Sequence, residues 1–155
     1  MRRIRKVKLT KEDKIMIVFE QAAGDQWDEY SLTCSEKALP SFYAAIQALA
    51  PHVIEMCELP QDYAERIIIR GVSVSYGGEA EVMGATITAQ MALMKSNCPL
   101  SLNTPHKASD SYSGGDADLN QLLSRDCIMA LRTLYAECDR YIDGERAQGK
   151  LFAVV

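Results

Sequence analysis

The chain has 155 residues, of which 48% are hydrophobic and 25% charged, and its formal net charge is −4 at pH 7. These values are typical of one globular domain and exclude a disordered or fibrous protein. There is no run of about 20 apolar residues, which a membrane-spanning helix requires, and the N-terminus lacks the apolar segment of a signal peptide.

The five cysteines are scattered, and no two have the Cys-x-x-Cys spacing of a zinc or redox site. The only histidines, His52 and His106, are too few to complete a metal site with them. This pattern favours reduced thiols in an intracellular compartment. We therefore predict a cytoplasmic protein without a metal ion or other cofactor.

Positive charge is concentrated at the start of the chain. Residues 1–14 have a net charge of +5, whereas the remaining residues total −9. One interpretation is a phosphate-binding edge for nucleic acid, including single-stranded DNA; the other is an edge strand that basic side chains protect from aggregation. The nucleic-acid interpretation assigns binding to five side chains: Arg2, Arg3, Arg5, Lys6 and Lys8.

The first third of the chain predicts three antiparallel strands. Residues 3–10, 15–20 and 27–34 alternate apolar and polar side chains, the two-residue period of a strand. The pair Gly24-Asp25 marks a turn between the second and third of them.

A helix is predicted to follow these strands. Pro40 suits the first turn of a helix, and apolar residues then recur at helical spacing as far as Met56. Pro51 interrupts the pattern, so we expect the helix to kink or restart near Ala50.

Three more strands are expected in the second half. Residues 66–76 are rich in β-branched side chains, and a change of phase at Gly71 predicts a β-bulge. A turn at Gly77-Gly78 leads into a partner strand, and a short strand over 99–102 follows. On the partner strand a polar, solvated face is predicted from Thr86, Thr88 and Gln90.

A long polar loop over 103–118 precedes the last helix, for which Ser124 is a suitable N-cap. The buried stripe of this helix is predicted to contain Cys127, Leu131, Leu134, Cys138 and Tyr141.

The predicted order βββα-βββα indicates an α+β fold: an antiparallel sheet of about six strands with two helices packed on one face. We expect residues 1–147 to form a single α+β domain and residues 148–155 a C-terminal tail. The second face of the sheet would then be free for solvent or a flat ligand.

No catalytic constellation is present in the sequence. The Gly-x-x-x-x-Gly-Lys phosphate loop, the Gly-x-Ser-x-Gly elbow and the His-Glu-x-x-His zinc motif are all missing, so we predict a protein that is not an enzyme. The loop segment Thr104-Pro105-His106-Lys107 is a candidate ligand site, because a hydroxyl, an imidazole and an ammonium can together bind a phosphate or nucleotide. The plain alternative is a structural loop, which the sequence favours.

The C-terminal tail resembles a known docking peptide. Gln148, Leu151 and Phe152 have the Gln-x-x-Leu-Phe spacing with which bacterial replication and repair proteins bind the DNA sliding clamp. We expect Gly144 to weaken the preceding helix and to favour fraying before Gln148. The alternative is that Leu151 and Phe152 fold back onto the domain.

Four stretches of the chain resemble an uncharacterised family of phage and prophage proteins. They are Gln47–His52, Ser75–Glu79 with Val82–Ile87, Leu102–Lys107 and Tyr141–Gln148. The family occurs in replication and recombination gene blocks of phages of Gram-positive bacteria. The resemblance implies a viral protein in the host cytoplasm with a role in DNA metabolism or in interference with the host.

Two functions therefore compete. The first is a non-enzymatic accessory protein of phage DNA replication or recombination. It would bind DNA weakly and dock on the sliding clamp through its tail, either as a monomer or as a homo-oligomer. The second is a counter-defence protein that sequesters a nucleotide signal or blocks a host effector, with Thr104, His106 and Lys107 as its ligand-binding residues.

Overall fold

In the computed structural model, which describes residues 1–112 and 118–147, one antiparallel sheet is covered on one face by helices. Its strands are β1 (Arg2–Leu9), β2 (Ile15–Ala23), β3 (Gln26–Cys34), β4 (Ile67–Gly77), β5 (Val82–Met91), β6 (Leu100–Asn103) and β7 (Lys107–Ala108). The helices are α1 (Pro40–Gln47), α2 (Ala50–Met56) and α3 (Arg125–Ile142), with short 3₁₀ segments at Gln61–Arg66 and Leu119–Gln121.

The strand order is β3-β2-β1-β4-β5-β6, and β7 also pairs with β5. The predicted α+β fold with an antiparallel sheet is confirmed. The predicted break of the first helix is also confirmed, since α1 ends at Gln47 and α2 begins at Ala50. The seventh strand, β7, lies inside the segment that the sequence predicted as loop.

The core lies between the sheet and the helices. Val7, Ile17 and Ile87 are fully buried on the helix side of the sheet, where Leu131 and Leu134 of α3 meet them in one apolar cluster. All five residues of the predicted stripe of α3 are buried, and the Ser124 hydroxyl accepts a hydrogen bond from the Cys127 amide as expected of an N-cap. The helix side of the sheet is therefore closed, and the opposite face is left for other contacts.

Two β-bulges shape the centre of the sheet. The one between Ile69 and Gly71 confirms the prediction made from the change of phase at Gly71. The second, between Ile4 and Lys6, was not predicted. It places Arg5 out of the regular alternation, so the two halves of β1 present their side chains differently.

The cysteines are buried or scattered, and none forms a disulfide. Burial raises the pKa of the Cys127 thiol to about 11, and it also raises the pKa of Cys138. Both therefore stay protonated at neutral pH and pack as small apolar groups.

The end of α3 is held to the domain more firmly than we expected. Gly144 has a φ of +98° and ends the helix. Beyond it, Arg146 forms an antiparallel bridge with Ala38, and the Ala147 amide donates to the Lys37 carbonyl oxygen over 3.0 Å. The predicted fraying before Gln148 is therefore wrong as far as Ala147, because glycine here forms a C-terminal cap.

Within the described ranges no helix is both long and apolar enough to cross a membrane. Among the same residues, no three His, Cys, Asp or Glu side chains are placed to hold a metal ion.

Candidate nucleic-acid interface

The face of the sheet opposite the helices, called here the open face, is polar across its centre. Lys6 and Lys8 of β1 lie on it directly across from Ser73 and Gly71 of β4. Thr86 and Thr88 of β5 continue the same rows, since they pair with Ser73 and Gly71, and Gln90 is on this face as well. The solvated face predicted for β5 is therefore confirmed, and it extends over β1 and β4.

A cationic track runs along this face, which we define as Lys6, Lys8 and Arg70. Both lysines are exposed, and neither makes an ion pair within the described part of the chain. Arg70 lies at the bulge of β4, where its guanidinium donates to the carbonyl oxygens of Leu9 and Thr10 at 2.9 and 3.2 Å. These bonds use neutral acceptors, so the positive charge of Arg70 remains uncompensated beside Lys8.

A shallow depression of about 140 Å³ lies in the middle of the track. Its walls include Lys6, Lys8, Arg70, Ser73 and Thr88. Its floor is Gly71, where a Cβ atom would lie 2.7 Å from the Val7 carbonyl oxygen. Because a water molecule occupies about 30 Å³, the depression has room for a phosphate group among ammonium and hydroxyl donors.

Arg3 belongs to a different environment. Its guanidinium is stacked between the rings of Trp27 and Tyr76, at 3.9 and 4.4 Å from the ring centroids. It also pairs with Glu20 at 2.8 Å and with Glu81 at 3.2 Å. These contacts tie β1 to β2, β3 and β4, so Arg3 serves the fold.

Glu20 receives two guanidinium groups. Burial by itself would raise the pKa of this carboxyl, but hydrogen bonds from Arg3 and Arg5 outweigh it, and the pKa is lowered from its ordinary value. Arg5 lies 3.2 Å from Glu20 and also donates to the Val74 carbonyl oxygen at 3.1 Å. Its charge is therefore largely satisfied inside the molecule.

Arg2 lies on the helix side of the sheet. It pairs with Asp139 of α3 at 3.4 Å and with Asp143, just after α3, at 3.0 Å, and it lies over the Phe19 ring. Of the five basic side chains predicted to bind nucleic acid, the structure thus brings Lys6 and Lys8 together on the open face. It places Arg2, Arg3 and Arg5 in intramolecular ion pairs.

The predicted ligand loop is divided between the two faces of the sheet. Thr104 is buried, and its hydroxyl accepts a hydrogen bond from the Ile87 amide at 2.9 Å. Lys107 of β7 lies opposite Ala85 of β5, on the helix side of the sheet. Its ammonium group donates a hydrogen bond to the Asn120 carbonyl oxygen at 3.1 Å. His106 is on the opposite side, so the three side chains do not converge on one ligand.

His106 instead joins the open face. It reaches across β5 above Gly84, and its Nε2 lies 2.8 Å from the Ser75 hydroxyl on β4. A Cβ atom at Gly84 would lie 2.6 Å from that nitrogen, so the missing side chain is what lets the imidazole cross the strand. Ser75 follows Ser73 on the same face, so His106 lies on the open face beyond the row that contains Ser73 and Lys6.

Sequence reasoning placed Ser73 and Thr88 on the free face of the sheet, but it missed Arg70 as a member of this site. The predicted bulge at Gly71 was the available signal, because a bulge redirects the side chain beside it. The alternation of β4 and β5 identified the face on which the Ser73 and Thr88 hydroxyls lie. Only the pairing of β4 with β1 brings these hydroxyls close to the lysines of the track.

A larger groove of about 950 Å³ lies on the helix side. It contains Lys107 and Arg125 but also Glu55 and Glu58, so its charges are mixed. This groove lacks the single sign of charge that favours an anionic ligand.

The tail residues predicted to dock on a partner, Gln148, Leu151 and Phe152, lie outside the described residues. The chain reaches them from Ala147, whose position beside Lys37 is fixed by the hydrogen bond given above.

Comparison with known proteins gives no relative: no family model, curated protein or solved structure matches the chain. The function must therefore be argued from the open face itself.

Proposed function

We propose that the protein is a non-enzymatic DNA-binding accessory factor that holds the phosphate backbone on its open face. The observation that carries this proposal is the cationic track, whose two lysines make no ion pair in the described part of the chain while the three arginines beside them on β1 all do. In keeping with the resemblance stated above, its setting would be phage DNA replication or recombination in the host cytoplasm.

The geometry of the track suits a backbone ligand. Lys6 and Lys8 are two residues apart on one strand, which separates them by roughly 7 Å and points both ammonium groups the same way. Ser73 and Thr88 supply hydroxyl donors in the same depression, whose Gly71 lets a phosphate approach the sheet closely. Lysine contacts of this kind position a backbone without reading bases, so binding should be independent of sequence.

The affinity should be modest and sensitive to salt. Three cations are few for a nucleic-acid site, and the rest of the chain is acidic. The logarithm of the binding constant should fall with the logarithm of salt concentration with a slope of about −2 for a single strand, since each phosphate contact contributes about −0.7.

Fluorescence anisotropy with a labelled oligonucleotide at low salt tests the proposal. The double substitution Lys6→Glu with Lys8→Glu should abolish binding and leave the circular dichroism spectrum unchanged. The matched control is Lys37→Glu with Lys95→Glu, which makes the same change of net charge at exposed positions away from the track and should retain most of the affinity. If the intact protein binds neither single-stranded nor duplex DNA at low salt, the proposal is wrong.

Docking on the bacterial sliding clamp through the tail is the second part of this proposal. It rests on the Gln-x-x-Leu-Phe spacing of residues 148–152. A peptide of residues 145–155 should bind the clamp with micromolar affinity, as expected for a short segment that must order on binding. Leu151→Ala with Phe152→Ala in the full chain should remove clamp binding, and DNA binding should persist.

A counter-defence role is the competing function, and one observation favours it. His106, Ser75 and the cationic track share one face, and the Gly71 depression could hold the phosphate of a nucleotide. A nucleotide bound there should lose affinity in His106→Ala and not in Lys107→Ala, because these side chains lie on opposite sides of the sheet. Isothermal titration with nucleoside mono- and diphosphates would separate this function from DNA binding.

A further inference from the structure

The two edges of the sheet differ in how they are protected. At one edge, β6 has four residues, and Pro105 separates it from the two-residue β7. At the other edge, β3 pairs with β2 over nine residues in unbroken register, from Cys34 opposite Ile15 to Gln26 opposite Ala23. Short strands and proline are the usual ways in which proteins block an edge, and β3 has neither.

The outer edge of β3 presents unused backbone groups. In the part of the chain that the structure describes, β3 pairs with β2 alone. Its sequence, Gln-Trp-Asp-Glu-Tyr-Ser-Leu-Thr-Cys, also has no lysine or arginine to discourage pairing. Alternate N–H and C=O groups are therefore available to a further strand.

The side chains of β3 are sorted between the two faces. Tyr30 and Leu32 pair with Phe19 and Ile17, so they lie on the helix side, where Tyr30 is 49% exposed and Leu32 is half-buried. The other face of β3 presents Glu29, Ser31 and Thr33. A partner strand would thus meet an apolar pair on one face and small polar groups beside one acid on the other.

We propose that this edge is the interface of a homodimer in which β3 pairs antiparallel with β3 of a second copy, with Ser31 on the two-fold axis. This register places Tyr30 opposite Leu32 of the second copy, twice by symmetry, and Glu29 opposite Thr33. The result is one continuous sheet through both subunits, an isologous arrangement. It does not depend on the proposed DNA-binding function.

Registers shifted toward the start of β3 are less favourable. A two-fold axis at Tyr30 would set Asp28 opposite Leu32, a charge against an apolar side chain. An axis at Glu29 would set the two Glu29 carboxylates directly opposite each other, and like charges in this position destabilise a strand pair. The register centred on Ser31 avoids both of these contacts.

The dimer should be weak, and salt should strengthen it. A single strand edge is at the small end of specific interfaces, which corresponds to a micromolar dissociation constant. Asp28 and Glu29 give both copies the same sign of charge near the contact, so screening of their repulsion should favour association. This dependence is opposite to the one expected for DNA binding, which salt weakens.

Sedimentation velocity of the full chain over a concentration series tests the dimer, with substitutions at Thr33 as a matched pair. Thr33→Lys places a cation opposite Glu29 of the second copy and should tighten the dimer about three- to ten-fold, whereas Thr33→Glu should weaken it by a similar factor. Ser31→Lys places two like charges on the axis and should give a monomer. Ser101→Lys on the opposite edge should associate like the unaltered protein.

Hydrogen exchange supplies the second measurement. The amides of β3 should become more protected as concentration rises. A monomer at all concentrations would overturn the proposal, and so would equal effects of Thr33→Lys and Thr33→Glu. Protection of β3 that does not depend on concentration would also overturn it, because another segment of the same chain would then cover the edge.

Discussion

The two halves of β1 carry the same sign of charge and use it differently. In the first half, Arg2, Arg3 and Arg5 all bind acidic side chains of their own domain. In the second half, Lys6 and Lys8 face solvent beside Ser73 and Gly71, with no carboxylate in ion-pair contact among the described residues. The first half of this basic strand therefore stabilises the fold, and the second half presents its charges to solvent.

The choice of residue follows this division. The planar guanidinium of Arg3 stacks between two aromatic rings and pairs with two carboxylates at once, which an ammonium group cannot do. Lysine is a compact, strongly hydrated charge that is well suited to an exposed strand and to phosphate. Substitutions in the two halves should accordingly separate stability from binding.

The largest effect on stability is expected at Arg3. Arg3→Ala removes two ion pairs and two ring contacts and leaves Glu20, a largely buried carboxylate, with Arg5 alone. We expect a loss of about 3 kcal/mol in the free energy of unfolding, measured by urea denaturation. Arg3→Lys should lose less, because it keeps a charge near Glu20. A loss of DNA affinity in a folded Arg3→Ala protein would show that the first half of β1 also binds DNA and would contradict the difference between the two halves.

A smaller loss of stability is expected at Gly71 beneath the cationic track. In Gly71→Ala the new Cβ would meet the Val7 carbonyl oxygen at 2.7 Å, and backbone cannot move aside easily. We expect a loss of about 2 kcal/mol by thermal or urea denaturation, together with weaker DNA binding as the depression fills. Gly84→Ala is the comparison, since its new Cβ meets the exposed His106 ring, which can rotate away, and it should lose about half as much.

Substitutions of Glu20 and of its cross-strand neighbour Glu29 should have different effects on the pH dependence of stability. Because the folded-state pKa of Glu20 is below its ordinary value of 4.5, its ionised form stabilises the fold above that value. This contribution is lost as the pH falls through the lowered folded-state pKa. Urea denaturation between pH 7 and 3 should show a smaller acid-induced loss in Glu20→Gln than in the unaltered protein. Glu29→Gln, at an exposed position, should follow the unaltered protein.

The smallest effect on stability is expected in the second half of β1. Lys6→Ala with Lys8→Ala should change the free energy of unfolding by less than about 0.5 kcal/mol, as is usual for exposed side chains without partners. The same variant should bind DNA at least ten-fold more weakly by fluorescence anisotropy. A large loss of stability would show that these lysines support the fold and would return the whole strand to a structural role.

The secondary structure could be predicted from local patterns because those patterns act over a few residues. Alternation marked β2 and β3, Pro51 marked the break between α1 and α2, and the phase change marked the bulge beside Gly71. β7 was missed because two residues are too short to show any period.

The amino-acid sequence predicted the longer strands and the helices, the solvated face of β5 and the concentration of positive charge in β1. Which of those charges are free follows from the folded arrangement of the chain. Arg2 meets Asp139 and Asp143 at the far end of the chain, and Arg3 lies between Trp27 and Tyr76 because strands distant in sequence come together there. No spacing in the sequence encodes these pairings, since an ion pair depends on distance in space. Lys6 and Lys8 were indistinguishable from the arginines as charges, and they differ because the fold places no carboxylate within ion-pair distance of them among the described residues.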